Sequence, residues 1–504
     1  MASRVVAIIT AGLVAALVFV PLAAVFMRAG GASGLNTADW AALRFTVWQA
    51  SLSAFLSVLL AIPAAQALHR RRFRGRQALI TLLGAPFILP VIVAILGLLA
   101  VFGREGIVNQ ILVPLGMPRL HIYGLHGILL AHVFFNLPLA IRLILQAWQE
   151  VPAERFRLAA QLDFGPRATF TALAWPVLRK SVPGAFLVIF VICLSSFAVA
   201  LTLGGGPRAT TVELAIYQAF RFDFDLSKAA TLAAMQLLFV GIASMVLLRL
   251  IGPSAGDVGM GRTVQRWDGH SVAARVADSA MIGLVILFLA APILSIVARG
   301  AAGITDLPPS VWQSAWHSIT VALASTILCI GLALPLSTLR VGQTVSLLGF
   351  ALSPLVMGTG MFLVIQPYAS PFQYALPVTC LVNALMSLPF AVRAMSPAFA
   401  KAQADFGKTA DMLNLRGLAR WRWQYLPAMR RPIGFSAGLA AALSMGDLGV
   451  IVLFADPDRA TLPLQMYRLM GAYQMEAAGG AALLLLTLSL GAFWIFDKGG
   501  RHGA

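Results

Sequence analysis

The sequence predicts an all-α polytopic membrane protein, about 12 transmembrane helices arranged as two parallel six-helix repeats. Composition is the first reason. The chain has 504 residues, 59% hydrophobic and 11% charged, with a mean hydropathy of +0.85. A soluble chain of this length cannot bury so much apolar surface, so lipid must be the solvent for most of it. The second reason is segmentation into long apolar runs, and the third is a pattern that recurs when the numbering is shifted by 251.

A helix needs about 20 apolar residues to cross the ~30 Å hydrocarbon core. Runs of that kind lie near 5–28, 45–68, 80–102, 126–147, 183–204, 229–251, 277–298, 316–338, 345–366, 375–396, 433–455 and 478–496. Backbone groups in lipid must be paired internally, and the runs lack period-2 alternation, so helices are expected rather than a barrel. The first run, Val5 to Met27, is too long for the ~7–15-residue core of a secretory signal and reads as a retained span. Cys193, Cys329 and Cys380 all fall inside spans and read as small buried hydrophobes, with no disulfide or metal spacing.

Charge sets the orientation. The formal net charge of +18 invites a nucleic-acid reading, but most of the 37 Lys and Arg fall on one side of the alternating spans. The densest group, Arg70, Arg71, Arg72, Arg74 and Arg76, lies between spans two and three. That asymmetry is the positive-inside pattern, which places both termini in the cytoplasm and leaves no role for nucleic acid.

The repeat is explicit. Leu137-Pro138-Leu139-Ala140-Ile141-Arg142 answers to Leu388-Pro389-Phe390-Ala391-Val392-Arg393, and the register continues through Ala159/Ala410, Leu162/Leu413, Pro176/Pro427 and Arg179/Arg430. It reaches Arg208-Ala209-Thr210 against Arg459-Ala460-Thr461. Elsewhere the shift changes: Ala61-Ile62-Pro63 matches Ala333-Leu334-Pro335, Pro86 matches Pro354, and Pro21 matches Pro292. Residues 1–252 form the first expected repeat and 277–504 the second, joined by a Gly-, Ser- and Asp-rich cytoplasmic linker at 253–276. Six spans per repeat, an even number, make the halves parallel, with a pathway near the pseudo-twofold axis.

Each half carries one polar, Arg-rich element between apolar runs. The first runs from Val151 to Pro166, with Pro152 suited to a first helical turn and Gly165-Pro166 to a stop. The second starts about Ala402 and ends near Arg416-Gly417. Helices of roughly twelve residues are marginal alone in water, so each is expected to lie in a groove supplied by another protein or by the rest of the chain. Ala159 and Ala410 would allow close approach there, with Leu162 and Leu413 as apolar anchors.

These elements resemble the coupling-helix motif of ATP-binding-cassette importer permeases: Glu-Ala-Ala, three residues, Gly, then a distant apolar-Pro pair. The chain keeps Ala159 and Ala410, Leu162 and Leu413, and Pro176 and Pro427; it departs at Arg157 and Lys408 and at Asp163 and Asn414. The resemblance implies that Leu158, Ala159, Ala160, Leu162 and Asp163, with Thr409, Ala410, Met412, Leu413 and Asn414, dock two copies of an ATP-binding subunit. ATP and magnesium would be used by those subunits, and no cofactor is expected on this chain. Phe197 to Gln218, Leu443 to Val450 and Thr461 to Tyr467 are similar to the thiamine branch of the family, which implies a bacterial inner-membrane location and a periplasmic substrate-binding protein as the further partner. Ferric-iron permeases share the fused layout and are the nearest alternative.

Thiamine carries a permanent positive charge on its thiazolium ring, and its phosphates add negative ones. Asp447 is the one carboxylate placed well inside a span, and an intramembrane acid is a functional candidate. Its counterpart is Ser196, and Phe197 adjoins it, so these three form the expected translocation path. His132 and Asn136 read as packing residues able to hydrogen-bond across helices. Gly204 to Pro207 reads as a periplasmic turn. Gly407-Lys408-Thr409 mimics the end of a phosphate loop, but Ala402 stands where the first glycine belongs and no strand precedes it. An ion-coupled secondary transporter would need more intramembrane acids and would leave the paired elements without a purpose. A membrane-embedded enzyme would need a catalytic constellation that the sequence does not display.

Overall fold

The computed structural model describes residues 2–29, 35–84, 88–204, 206, 209–250, 271–305, 307–339, 342–347, 353–454 and 459–501. Pro86, Gly205, Pro207, Arg208 and most of the expected linker lie outside them. Every element among the described residues is helical.

Ten helices among the described residues are long and apolar enough to cross a membrane, against about twelve expected. Two expected runs fall short for visible reasons. The run at 345–366 contains Pro354–Ile365, a helix of 12 residues. The run at 433–455 contains Leu426–Met445, which stops at Gly446 and passes into tight turns through Leu453. That helix also trades apolarity for close packing. A Cβ on Gly438 would stand 2.8 Å from the Phe493 carbonyl of Met475–Arg501, and one on Gly434 2.6 Å from the Phe496 carbonyl. Small residues at such an interface let two backbones approach.

Interruption recurs in the other half. The run at 80–102 includes two helices, Arg76–Leu82 and Val91–Phe102, and the run at 183–204 is Trp175–Leu194 followed by Phe197–Leu203. Pro90 caps Val91–Phe102, while Ser353 caps the helix that Pro354 begins. Proline suits those positions because the first amides of a helix have no intrahelical partner to lose.

The two halves exchange their first helices. Ala2–Ala29 packs on Leu226–Leu250 but also on Pro309–Leu336 and Pro354–Ile365. Val272–Gly303 packs on Met475–Arg501 and, across the molecule, on Thr37–Arg70 and Val91–Phe102. Arg71 Nε adds an ion pair to Asp278 Oδ2 at 2.7 Å across the same junction.

The offset of 251 survives in three dimensions and then slips. Two π-helical turns, Phe170–Ala174 and Trp421–Tyr425, obey it, as do the helices that follow, Trp175–Leu194 and Leu426–Met445. Beyond them Val212–Arg221 answers to Leu462–Gly471, an offset of 250, with Thr211 and Thr461 as N-caps. Thr461 therefore corresponds to Thr211, not to Thr210 as the sequence register indicates. The structural constraint is the extended cap residue whose carbonyl opens the helix, and the Thr210-Thr211 pair offers two candidates to a sequence alignment but one to the fold.

Candidate functional site

The four interrupted runs converge on one cavity of about 330 Å³. Ser195, Ser196 and Phe197 supply part of its wall, and Gly446, Asp447 and Gly449 another part. Pro90 and Pro354, at the starts of the two short helices, complete the ring. Its size falls at the lower end of the ~300–1,000 Å³ typical of small-molecule sites.

A helix that stops inside a bundle leaves its last carbonyls without partners. Two glutamines from neighbouring helices resolve this after Leu194. Gln49 Nε2 donates to the Cys193 carbonyl at 3.0 Å, and Gln236 Nε2 to the Leu194 carbonyl at 2.8 Å. The second break is held differently. The Asp447 carboxylate accepts the Gly449 amide at 3.1 Å and the Val450 amide at 3.5 Å, so this acid organises the turn that it begins. Gly446 is required by proximity: a Cβ there would meet Pro90 Cα at 3.0 Å.

Equivalent positions carry different polar chemistry. His132 Nδ1 lies 2.9 Å from Ser53 Oγ and His132 Nε2 lies 2.8 Å from Ser196 Oγ, a chain across three helices to the cavity wall. A neutral imidazole has one donor and one acceptor nitrogen, so one serine donates and the other accepts. Asn136 Nδ2 donates to the His132 carbonyl at 2.9 Å. His132 and Asn136 thus do more than pack. In the other half the places of Ser53, His132 and Cys193 are taken by Ser325, Asn383 and Ser444, which are also joined: Asn383 Nδ2 to Ser444 Oγ at 3.1 Å, and Ser444 Oγ to Ser325 Oγ at 3.0 Å. Phe197 is buried and meets Tyr217 edge-on, with centroids 5.5 Å apart. Gly206 adopts φ 131, and the remainder of the expected glycine turn is not described except Gly204, which follows Phe197–Leu203.

A second carboxylate belongs to this site, and sequence reasoning missed it. Glu213 lines the cavity and is 1% exposed. Gln236 Nε2, already bound to the Leu194 carbonyl, reaches Glu213 Oε1 at 3.4 Å. Glu213 sits in a ten-residue helix that falls between the apolar runs at 183–204 and 229–251, outside every expected span. The available signal was an acid in the first turn after a Thr cap, alone among Val212, Leu214, Ala215 and Ile216. Among the described residues no group of three or more His, Cys, Asp or Glu is placed to hold a metal ion.

The two polar elements differ from expectation in form. Ala153–Gln161 is a separate helix of nine residues, cut from Leu125–Gln149 by Pro152, which has no amide hydrogen to continue the ladder. The expected separate helix from Ala402 does not exist: that stretch is the end of Ala375–Met412, one helix of 38 residues. Gln403 occupies the place of Pro152 and keeps the backbone bonded.

Their ends nevertheless agree. Asp163 and Asn414 take φ 48 and φ 52. The Phe164 amide donates to the Ala159 carbonyl at 3.1 Å and the Leu415 amide to the Ala410 carbonyl at 2.9 Å, the Schellman pattern in both. Left-handed backbone favours glycine, and Asp and Asn are the side chains that tolerate it next best. The two departures from the importer motif therefore preserve the turn.

Ala159 and Ala410 are each 3% exposed, packed against the rest of the chain. Beside Ala159, Phe156 packs under His69, which stacks on Trp148. Beneath the second element Phe399, Trp421 and Tyr425 form a ring cluster, and Arg420 Nη1 pairs with Asp411 at 2.6 Å. Leu158, Leu162, Met412 and Leu413 are exposed, the last two at 86% and 67%. Ala160, Asp163, Thr409 and Asn414 are exposed with them.

No protein-family model matches the chain. It is 39% identical over 500 residues to the thiamine transport system permease protein ThiP of Brucella abortus (strain 2308), covering 95% of this chain and 92% of that protein. Against ThiP of Escherichia coli (strain K12) it is 38% identical over 483 residues, 91% and 89% of the two chains. Against ThiP of Haemophilus influenzae it is 32% identical over 467 residues, 88% and 86%. Interrupted helices around one cavity, and a likeness that runs nearly end to end, have one explanation: the chain belongs to the family of thiamine transport system permease proteins.

Proposed function

We propose that this chain is the membrane-spanning permease of an ATP-binding-cassette importer that moves thiamine or its phosphates into the bacterial cytoplasm. Two copies of a separate ATP-binding subunit drive it, and a periplasmic binding protein delivers the cargo. The chain itself is no enzyme and needs no cofactor. It sits in the inner membrane with both termini cytoplasmic, as two parallel repeats, residues 1–252 and 277–504.

One observation supports this reading most: two surface elements end in the same left-handed turn 251 residues apart, at Asp163 and Asn414, each bordered by exposed leucine or methionine. Apolar side chains on a polar element outside the spans are costly unless a partner covers them. A pair of them at equivalent positions suits a pair of identical ATPase subunits. Motion at these handles would pass through Leu125–Gln149 and Ala375–Met412 to the cavity, where Ser196, Phe197 and Asp447 border the cargo path. The thiamine assignment comes from the named relatives.

The test is reconstitution of the chain with its co-purifying ATPase and binding protein in liposomes. ATP-dependent uptake of thiamine or thiamine diphosphate, with none of ferric iron, is the expected result. Uptake of ferric iron alone would overturn the substrate, and nucleotide-independent uptake driven by an ion gradient would overturn the importer class.

A further inference from the structure

We propose that Glu213 is a cargo-recognising carboxylate, which acts with Asp447 to make this cavity selective for an organic cation with a flat, apolar body. The inference rests on the importer reading above and adds the chemistry of its site.

Three features of the cavity carry it. Glu213 and Asp447 both line it, and among the described lining residues there is no Lys or Arg. Two acids without a basic counterpart give the space a negative potential that low-dielectric walls concentrate. Second, Glu213 is not neutralised from behind. Its described partners are neutral and few: Gln236 offers one amide to Oε1 at 3.4 Å and the Ser353 hydroxyl lies near the carboxylate, while Oε2 is buried without a hydrogen bond of good geometry. A buried oxygen left open at a cavity wall is costly unless something that enters the cavity pairs with it. Third, the remaining lining is mostly apolar, with His132, Asn136, Ser195 and Ser196 as its other polar members, and it includes Phe135 and Phe197, side chains that favour a cationic ring. Asp447 already spends hydrogen-bonding capacity on the Gly449 and Val450 amides, whereas Glu213 accepts from no backbone amide among the described residues.

The position is built for precision. Thr211 caps the helix that carries Glu213, the Val212 amide donates to Thr46 Oγ1 at 2.9 Å, and Gln236 ties Glu213 to the break at Leu194. The site is also one-sided. At the structural offset of 250 the counterpart of Glu213 is Pro463, which has no charge.

The experiment uses the complete transporter, reconstituted with its ATPase and binding protein. Glu213→Gln should lower thiamine uptake about tenfold or more in complexes that still assemble with the ATPase and binding protein, and Glu213→Asp should retain part of the uptake. In the wild-type complex, labelling of Glu213 by a carbodiimide, read by mass spectrometry, should be slowed by thiamine and not by thiochrome, its uncharged tricyclic oxidation product. Ligand-dependent protection is a readout that a merely structural carboxylate would not give, and it decides the matter even if Glu213→Gln fails to assemble. Unchanged uptake by Glu213→Gln, or labelling indifferent to thiamine, overturns the assignment. A wild-type complex that takes up no thiamine overturns the importer's substrate instead, and the two failures are told apart in the same preparation.

Discussion

Gly97 lies so close to Pro292 that a Cβ on the glycine would stand 2.6 Å from the proline carbonyl oxygen. Gly360 stands in the same relation to Pro21, also at 2.6 Å. Each pair joins a twelve-residue helix of one half to the first helix of the other. The helices Val91–Phe102 and Pro354–Ile365 start 263 residues apart, and so do their two glycines. Gly97→Ala and Gly360→Ala should each overpack the junction and cost about 1–3 kcal/mol. Thermal unfolding of the detergent-solubilised chain measures the loss, and the double variant should be close to additive because the two sites share no partner. A pair of alanine variants as stable as the parent would refute the close approach.

His132 joins Ser53 to Ser196, and its removal strands two hydroxyls inside the bundle. His132→Ala should lower stability by about 1–3 kcal/mol and loosen Ser196 at the cavity wall. His132→Asn, which copies the other half's Asn383, should recover part of the loss. Unfolding temperature and the KM for uptake, measured on both variants, check this.

Pro152 and Gln403 decide whether a polar element is a separate helix. Gln403→Pro should break Ala375–Met412, at a cost of ~3 kcal/mol or more, since an interior proline removes a hydrogen bond and clashes with the preceding turn. Pro152→Gln should let Leu125–Gln149 run on into Ala153–Gln161. Spin-label distances between the two segments, before and after substitution, would report a straightened helix, and unchanged distances would exclude it.

Burial separates exposed from packed positions at the two surface elements, and the proposed docking of an ATPase subunit makes the two classes behave differently. Leu162→Ser and Leu413→Ser should leave the stability of the chain within about 0.5 kcal/mol but reduce co-purification of the ATPase subunit. Ala159→Leu and Ala410→Leu, at positions 3% exposed, should instead destabilise the chain itself by about 1–3 kcal/mol. The expectation fails if the serine variants retain the ATPase and the leucine variants unfold normally.

Asp163 and Asn414 occupy left-handed backbone, where a Cβ is tolerated at a cost. Asp163→Gly and Asn414→Gly should be neutral or slightly stabilising, whereas Asp163→Val and Asn414→Val should cost about 1–2 kcal/mol. Chemical unfolding midpoints of the four variants give the order directly.

Much of this architecture is written in local pattern. Apolar length and composition specify lipid-embedded helices whatever their neighbours, because backbone satisfaction in hydrocarbon is a local requirement. The 251-residue register marks the paired elements, and it holds structurally from Leu162 to Ser196 because no residue is inserted there. Asp447, Ser196 and Phe197 were placed together by sequence, and all three line the cavity.

What remained hidden depends on which segments meet. Glu213 lies outside every expected apolar run, and only the fold brings Gln236 between it and the Leu194 carbonyl; likewise only the fold shows that Ala159 is buried. The breaks at Leu194 and Met445 need Gln49, Gln236 and Asp447 to answer their unpaired groups, and those side chains come together only in the folded bundle. Sequence alone therefore determined the solvent, the helices and the repeat, since each follows from composition and spacing along the chain. Tertiary structure decided where helices stop, which side chains face the cavity and which stay exposed, since burial and hydrogen-bond pairing are properties of segments distant in sequence.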